Sequence, residues 1–294
     1  MLRNQIVMVA NRCNLSCTYC WYEVGSADYL PDQVEVADYE RWFAACARDG
    51  ALDTVSFTGG EPLLRADIVD LLEAADRHAG TTMLFTNGTL LDEDTARVLA
   101  RLGTQVHISI DHVDLALADR VRGGTKVSLR ALEQLSAAGV RAVQICMVVT
   151  SRNWTQVPAM ARFAQQRGHG LELIPVGVPD SHPLSLRTLA PDQLTSLLQE
   201  LRTWSDLLGR GLYYRRFAAY VRNAALPVLR SCRAGDTGVF ITSDGGVTVC
   251  AQRSEVVLGN IRTHSPEEVR RAKQQEVARR VPGACVKADC LVLV

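Results

Sequence analysis

The sequence predicts an α/β fold, a partial (β/α)6 barrel followed by a small α+β unit, on three observations. Short apolar, β-branched runs recur six times in about 190 residues, amphipathic stretches separate them, and the alternation stops after Pro179. Near-continuous apolar runs of this length suit parallel strands buried on both faces. Six units fall short of the eight of a closed barrel, and an open doubly wound sheet shares the same pattern. In either architecture ligands belong at the C-terminal ends of the strands.

The strand runs are QIVMVA from residue 5, TVSFTGG from 54, TTMLFTNG from 81, TQVHISID from 104, RAVQICMVVT from 141 and LELIPVG from 171. Between them VADYERWFAACARDG, ADIVDLLEAADRHAG and VSLRALEQLSAAGV carry helical periodicity and close on glycine, the residue that takes a left-handed C-cap without strain. The three-proline stretch PDSHPLSLRTLAP marks a boundary, and helical patterns follow near 191–208 and 212–226. Short strands around an SDGG turn, a polar helix near 266–280 and a cysteine-bearing tail complete the chain. The predicted division is therefore a barrel over 1–187, a helical bridge over 188–230 and a small module over 231–294.

The 294 residues are 47% hydrophobic, enough for a large core. Lys plus Arg is 32 and Asp plus Glu is 32, without a run of like charge. That balance gives neither nucleic acid nor an anionic membrane any electrostatic support, so a small-molecule partner is expected. MLRNQIVMVANRC has no long apolar region or small-residue cleavage site, and no window reaches the ~18 to 20 apolar residues of a spanning helix, so the chain reads as cytoplasmic. In a reducing compartment an odd set of nine cysteines points to metal rather than to disulfides.

In NRCNLSCTYCW, Cys13, Cys17 and Cys20 crowd eight positions in the loop after the first predicted strand. Thiolates suit zinc or iron–sulfur clusters. A structural zinc site closes its tetrahedron with a fourth ligand, and the next cysteine, Cys46, falls in a helical pattern. Three ligands on a four-iron cluster leave one iron open to bind something else.

This spacing, with Tyr19 before the third cysteine, resembles the radical S-adenosylmethionine (radical SAM) superfamily. The resemblance implies a [4Fe–4S] cluster whose open iron chelates the methionine part of S-adenosylmethionine, reductive release of a 5′-deoxyadenosyl radical, and an external reductant such as flavodoxin or ferredoxin. TGGEP at 58–62 resembles the family's motif for the methionine amino group, which makes Gly59, Gly60 and Glu61 candidates. FTNG at 85–88, with Thr86 and Asn87, and SID at 109–111, with Ser109 and Asp111, match segments that contact cofactor in relatives, and RVRGG at 120–124 matches the stretch after the fourth strand. Taken singly, each also reads as a turn or a helix cap.

Cys232, Cys250, Cys285 and Cys290 lie beyond the barrel. CRAGDTGVFITSDGGVTVC resembles the twitch domain, the shortened SPASM module, which implies one auxiliary [4Fe–4S] cluster; four cysteines saturate one cubane. The last pair departs from the family in being separated by four residues, and four cysteines also suffice for zinc. Cys46 reads as core filler. Cys146 shares a strand face with Gln144, opposite Val143, Ile145 and Met147, which puts it on the expected lumen face as either a small buried thiol or a hydrogen-atom donor.

Similarity to dehydrogenases and epimerases of aminoglycoside and aminocyclitol pathways implies two reactions on an amino-sugar substrate. One oxidises a hydroxyl-bearing carbon to a ketone, with the auxiliary cluster as electron acceptor. The other inverts that carbon, with a thiol returning the hydrogen. Peptide maturation is a third reading, disfavoured because the first predicted strand starts by residue 5 and leaves no room for a peptide-recognition domain. Asp111, Arg152, His169 and Glu172 lie near predicted strand ends as candidate bases, and Asp111, Glu172 and Asp180 are carboxylates suited to substrate ammonium groups.

Overall fold

The computed structural model describes residues 2–20, 34–50, 52–114, 121–208, 212–222 and 237–279. Cys232, Cys285 and Cys290, named above as cluster ligands, lie outside them. The six expected strands form: β1 (Asn4–Ala10), β2 (Leu52–Gly59), β3 (Ala79–Thr86), β4 (Gln105–Ser109), β5 (Val143–Val149) and β6 (Gly170–Pro175). They pair in parallel, each with its sequence neighbour. Helices α1 (Val36–Arg48), α2 (Ile68–Asp76), α3 (Glu93–Leu102), α4 (Thr125–Ala137) and α5 (Val157–Gln166) connect them.

One face of every strand is sealed by these helices. Val7, Val9, Val55, Phe57, Leu84, Val106, Ile108, Ile145, Met147, Leu171 and Leu173 lie fully buried in one core with Tyr39, Trp42, Phe43, Leu71, Leu72, Leu99 and Leu135. The opposite face is not buried as the apolar runs suggested. β4 and β6 alternate between buried and half-buried positions, and the half-buried set carries His107 and Glu172. The runs look continuous because Cys146, Met83 and Phe85 count as apolar while they line the concave side.

Local chemistry explains the helix ends. Asp92 caps α3 by accepting from the Thr95 N–H at 2.8 Å, and Gly103 ends it in the left-handed region at φ 67°. Gly139 does the same after α4 at φ 81°. The glycine closing the second helical pattern, Gly80, instead lies within β3. Cys46 is buried on the core stripe of α1, and burial pushes its thiol up to about 12, as a core-filling cysteine requires.

After the barrel come α6 (Pro191–Thr203), α7 (Ser205–Leu208) and α8 (Leu212–Val221). Tyr213 and Tyr214 of α8 cover the β6 edge: the Tyr213 hydroxyl donates to the Leu173 carbonyl at 2.6 Å, and the Leu173 N–H donates to the Tyr214 hydroxyl at 3.4 Å. An edge occupied in this way offers no template for a further strand.

At the other edge, β7 (Gly238–Ile241) pairs in parallel with β1, and β8 (Gly246–Thr248) and β9 (Val257–Asn260) follow antiparallel, giving one nine-stranded sheet, β6-β5-β4-β3-β2-β1-β7-β8-β9. The SDGG turn has Gly245 at φ 86°, where an added Cβ would meet Val34 and Asn260 at 3.0 and 3.1 Å. The described part of the C-terminal module thus continues the barrel sheet. Helix α9 (Pro266–Ala278) follows, opened by a Ser265–Glu268 capping box. Among the described residues, no helix is long and apolar enough to cross a membrane.

Candidate active site

The cysteine loop leaves β1 at residue 11 and is seated on the glycines of TGGEP. A Cβ at Gly59 would fall 2.3 Å from the Ala10 carbonyl oxygen, and one at Gly60 would fall 2.1 Å from that of Arg12. The Gly60 and Glu61 N–H groups donate to those same oxygens at 2.8 Å. The two glycines therefore admit the backbone of the loop itself.

Glu61 is completely buried. Its carboxylate accepts from the Thr86 hydroxyl at 2.6 Å, the Asn87 N–H at 2.7 Å and the Leu63 N–H at 3.0 Å. Burial raises its pKa and these bonds oppose the rise. Thr86 and Glu61 thus tie the end of β3 to the turn after β2.

Asn87 reaches the loop. Its amide donates to Cys13 Sγ at 3.7 Å and to Asn14 Oδ1 at 2.9 Å, while its own oxygen accepts from the Thr89 N–H and hydroxyl at 2.8 and 2.6 Å. The Leu15 N–H adds a second donor to Cys13 Sγ at 3.4 Å. Cys13 and Cys17 are half-buried and Cys20 is exposed, and all three are free thiols. Burial raises the Cys13 and Cys17 thiols, each further raised by the nearby Cys20.

A second tie holds the other end of the loop. The Tyr19 hydroxyl donates to Asp111 Oδ2, and its ring lies among Val176 and Leu184. Asp111, 2% exposed, also accepts from Arg122 Nε at 2.9 Å and from the Val148 N–H at 2.8 Å. Burial opposes the Arg122 charge, but the Asp111 carboxylate holds its pKa above the usual value. Tyr19 is raised well above its usual value, chiefly by burial. Asp111 serves in this geometry as an anchor for the loop and for RVRGG.

The concave face below carries a triad. In strand register Ser109 stands beside Cys146, and Cys146 beside Glu172. Cys146 Sγ lies 3.7 Å from His107 Nδ1 and 3.5 Å from Glu172 Oε2, and His107 Nδ1 lies 3.4 Å from Glu172 Oε2. The His107 ring stacks on Phe85 at 4.2 Å between centroids. Burial, then Glu172, pushes the Cys146 thiol well above its usual value, so it stays protonated at neutral pH.

The triad brings together two of the predicted catalytic residues, Cys146 and Glu172, and adds His107, which sequence reasoning passed over. Its position two residues before Ser109 on the same strand face was the available signal. The other candidates lie elsewhere. Arg152 is exposed in the loop after β5, with its N–H on the Thr150 hydroxyl. His169 precedes β6, at the opposite end of the strand from the ligand side, 3.4 Å from the Ser136 hydroxyl. Asp180 is exposed beside Arg187. Cys250 is half-buried just after β8.

Residues 7–164 match the radical SAM superfamily, and residues 232–290 match SPASM, the iron–sulfur cluster-binding domain. The chain belongs to the radical SAM superfamily. Among curated relatives, the GTP 3′,8-cyclase of Erythrobacter litoralis is 34% identical over 184 residues, 58% of this chain and 54% of that one. The mycofactocin maturase MftC of Mycobacterium tuberculosis is 28% identical over 262 residues, 85% of this chain and 65% of that one. The chain therefore spans between half and two thirds of these relatives' lengths. Native anSMEcpe with bound AdoMet superposes with a TM-score of 0.74 at 21% identity, covering 93% of this chain and 82% of that one, which establishes the shared fold.

This radical SAM protein takes the family's cofactors: a [4Fe–4S] cluster, S-adenosylmethionine and an auxiliary iron–sulfur cluster. The loop fits the first of these. Three free thiols share one loop, and two N–H groups point at Cys13 Sγ, which is what a ligating thiolate accepts.

Proposed function

We propose that this radical SAM enzyme oxidises a hydroxyl-bearing carbon of a small amino-sugar-like substrate to a ketone, with the substrate seated on the concave face against the His107–Cys146–Glu172 triad. The bound cofactors supply hydrogen-atom abstraction and an electron acceptor. The hydroxyl-bearing carbon loses one hydrogen atom, its oxygen loses one proton, and the resulting carbon radical gives up one electron, which together make the C=O bond. The protein must supply a place for that proton. Glu172 and His107 sit side by side on the lumen face, 24% and 14% exposed in their side chains, so they are reachable from the lumen yet shielded from bulk water. That pair is the observation that supports the reading.

Anaerobic incubation of the cluster-loaded protein with S-adenosylmethionine, reductant and a panel of aminocyclitols and aminoglycosides tests it. The expected result is 5′-deoxyadenosine together with a product two hydrogens lighter; no 5′-deoxyadenosine above background across the panel overturns the substrate class. Product of unchanged mass in ordinary water that gains one deuterium at an inverted carbon in heavy water would instead select epimerisation, with the protonated Cys146 thiol as hydrogen donor.

A second reading, peptide maturation, is favoured by the relatedness to the mycofactocin maturase over 85% of this chain. Formation of 5′-deoxyadenosine only when a peptide is present selects it.

A further inference from the structure

We infer that His107, Cys146 and Glu172 form a binding site for one divalent first-row metal ion, distinct from both cluster sites, with its fourth position open to the lumen. The inference rests on the lumen being the substrate site, as proposed above, only for what the ion does and not for whether it binds.

Donor spacing carries the inference. A tetrahedral ion with bonds of ~2.1 Å to nitrogen and oxygen and ~2.3 Å to sulfur holds its donor atoms about 3.4 to 3.6 Å apart. The three edges of the triangle are 3.4 Å from nitrogen to oxygen, 3.5 Å from sulfur to oxygen and 3.7 Å from nitrogen to sulfur. The two sulfur edges also suit thiol hydrogen bonds, Cys146 Sγ donating to Glu172 Oε2, so the nitrogen–oxygen edge decides: an imidazole donating to a carboxylate closes to roughly 2.7–2.9 Å. Here the imidazole nitrogen and the carboxylate oxygen stand apart by the width of a coordination edge.

The donor set and its support agree with the spacing. An imidazole, a thiolate and a carboxylate together suit zinc or iron(II), and a thiolate plus a carboxylate neutralise a divalent ion inside the lumen. Each donor comes from a different, adjacent strand, β4, β5 and β6, so the triangle is fixed by the sheet. Phe85 stacks on His107 and sets the ring plane.

Three protein ligands with one open position are the pattern of a site that binds a further donor rather than a purely structural one. A substrate hydroxyl or amine entering that position would be oriented, and a bound hydroxyl acidified, its proton passing to the Glu172 carboxylate oxygen that is not in the triangle. The substrate class this selects is a ligand with a free hydroxyl or amine next to the C–H bond to be broken.

Cobalt(II) tests the site on the anaerobic, cluster-loaded protein without S-adenosylmethionine or substrate, so that the cluster cysteines are already occupied. The expected result is one cobalt per chain with a thiolate-to-cobalt charge-transfer band, and unchanged cluster iron and sulfide. Cys146→Ser should abolish the band, and Glu172→Gln should weaken binding by about 10- to 100-fold, while Cys46→Ser, a buried thiol elsewhere, changes neither. If Cys146→Ser does not fold, His107→Phe with Glu172→Gln takes its place. Absence of cobalt beyond the clusters, or equal binding by the triad variants, overturns the site. Binding without oxidation of any candidate would overturn the proposed reaction alone, and oxidation without binding would overturn the metal site alone.

Discussion

Asn in place of Asp111 should destabilise the protein far more than loss of a surface carboxylate would. The carboxylate receives the Tyr19 hydroxyl, Arg122 Nε at 2.9 Å and the Val148 N–H at 2.8 Å, and the Arg122 side chain it faces is 11% exposed. An amide retains the Val148 bond through its oxygen but turns N–H donors toward Arg122 and Tyr19, leaving a buried guanidinium without its counter-charge. Breaking a buried pair on one side costs about 3–5 kcal/mol. Arg122→Met strands the carboxylate in the same way, so the double variant should cost about 2 kcal/mol less than the sum of the two singles. Urea unfolding of the cluster-loaded protein under anaerobic conditions, read as midpoint shifts at constant m, measures all three. Because Tyr19 lies between Cys17 and Cys20, cluster iron should fall together with stability in the single variants. A loss below about 1 kcal/mol for Asp111→Asn, or strictly additive effects, refutes the buried pair as the anchor. Unchanged stability with abolished turnover would return Asp111 to the role of base.

Three further outcomes follow from the same geometry. Gly60→Ala places a Cβ 2.1 Å from the Arg12 carbonyl oxygen, a backbone atom that cannot swing aside, so the start of the cysteine loop must shift by more than an ångström; reconstituted iron should drop while the far-UV circular dichroism stays close to wild type. Asn87→Ala removes one of the two N–H donors to Cys13 Sγ and should move the midpoint potential of the loop cluster to more negative values in an EPR-monitored titration; an unchanged potential would refute the bond. Asp92→Ala should cost about 1 kcal/mol at pH 7. The Thr95 N–H lowers the Asp92 pKa below 3.8, so this contribution is complete above that value and lost as pH falls through the folded one; the urea midpoints of variant and wild type should converge in acid.

The barrel was legible because each strand run announces itself locally and ends on a motif: β1 on the cysteine loop, β2 on TGGEP, β3 on FTNG, β4 on SID. Which side chains meet across strands was not. His107 and Cys146 are 39 residues apart, and only the parallel register of β4, β5 and β6 makes them and Glu172 neighbours. Alternation gives a residue its face, never its partner. The glycines of TGGEP show a related gap. Close backbone approach is readable from Gly59 and Gly60, but the approaching backbone is that of Ala10 and Arg12, a contact made by folding. The pairing of β7 with β1 was hidden for a third reason: a four-residue strand more than 220 residues beyond β1 carries no local mark of the strand it will join.

The loop and the triad are not independent pieces. Asn87 fixes the first cysteine through Cys13 and Asn14, and Tyr19 fixes the last part of the loop through Asp111. Asp111 accepts from the Val148 N–H, and the neighbouring Ile110 N–H donates to the Cys146 carbonyl at 3.0 Å. A single residue, Met147, thus separates the strand position that anchors the cysteine loop, Val148, from the one that carries the thiol of the triad, Cys146. A hydrogen-atom abstraction succeeds only when donor carbon and acceptor stand within a few tenths of an ångström of the reactive separation, and a 1 Å misplacement costs about a hundredfold. Hanging the loop on the same strand that carries Cys146 makes the distance between the two sites a property of β5 rather than of a flexible connection. On the proposed substrate seat, substitutions at Asp111 and Tyr19 should disturb reaction geometry even where they spare the cluster, whereas substitutions at Asn87 should act chiefly on the cluster and reach the triad only through β3 and the Phe85–His107 stack.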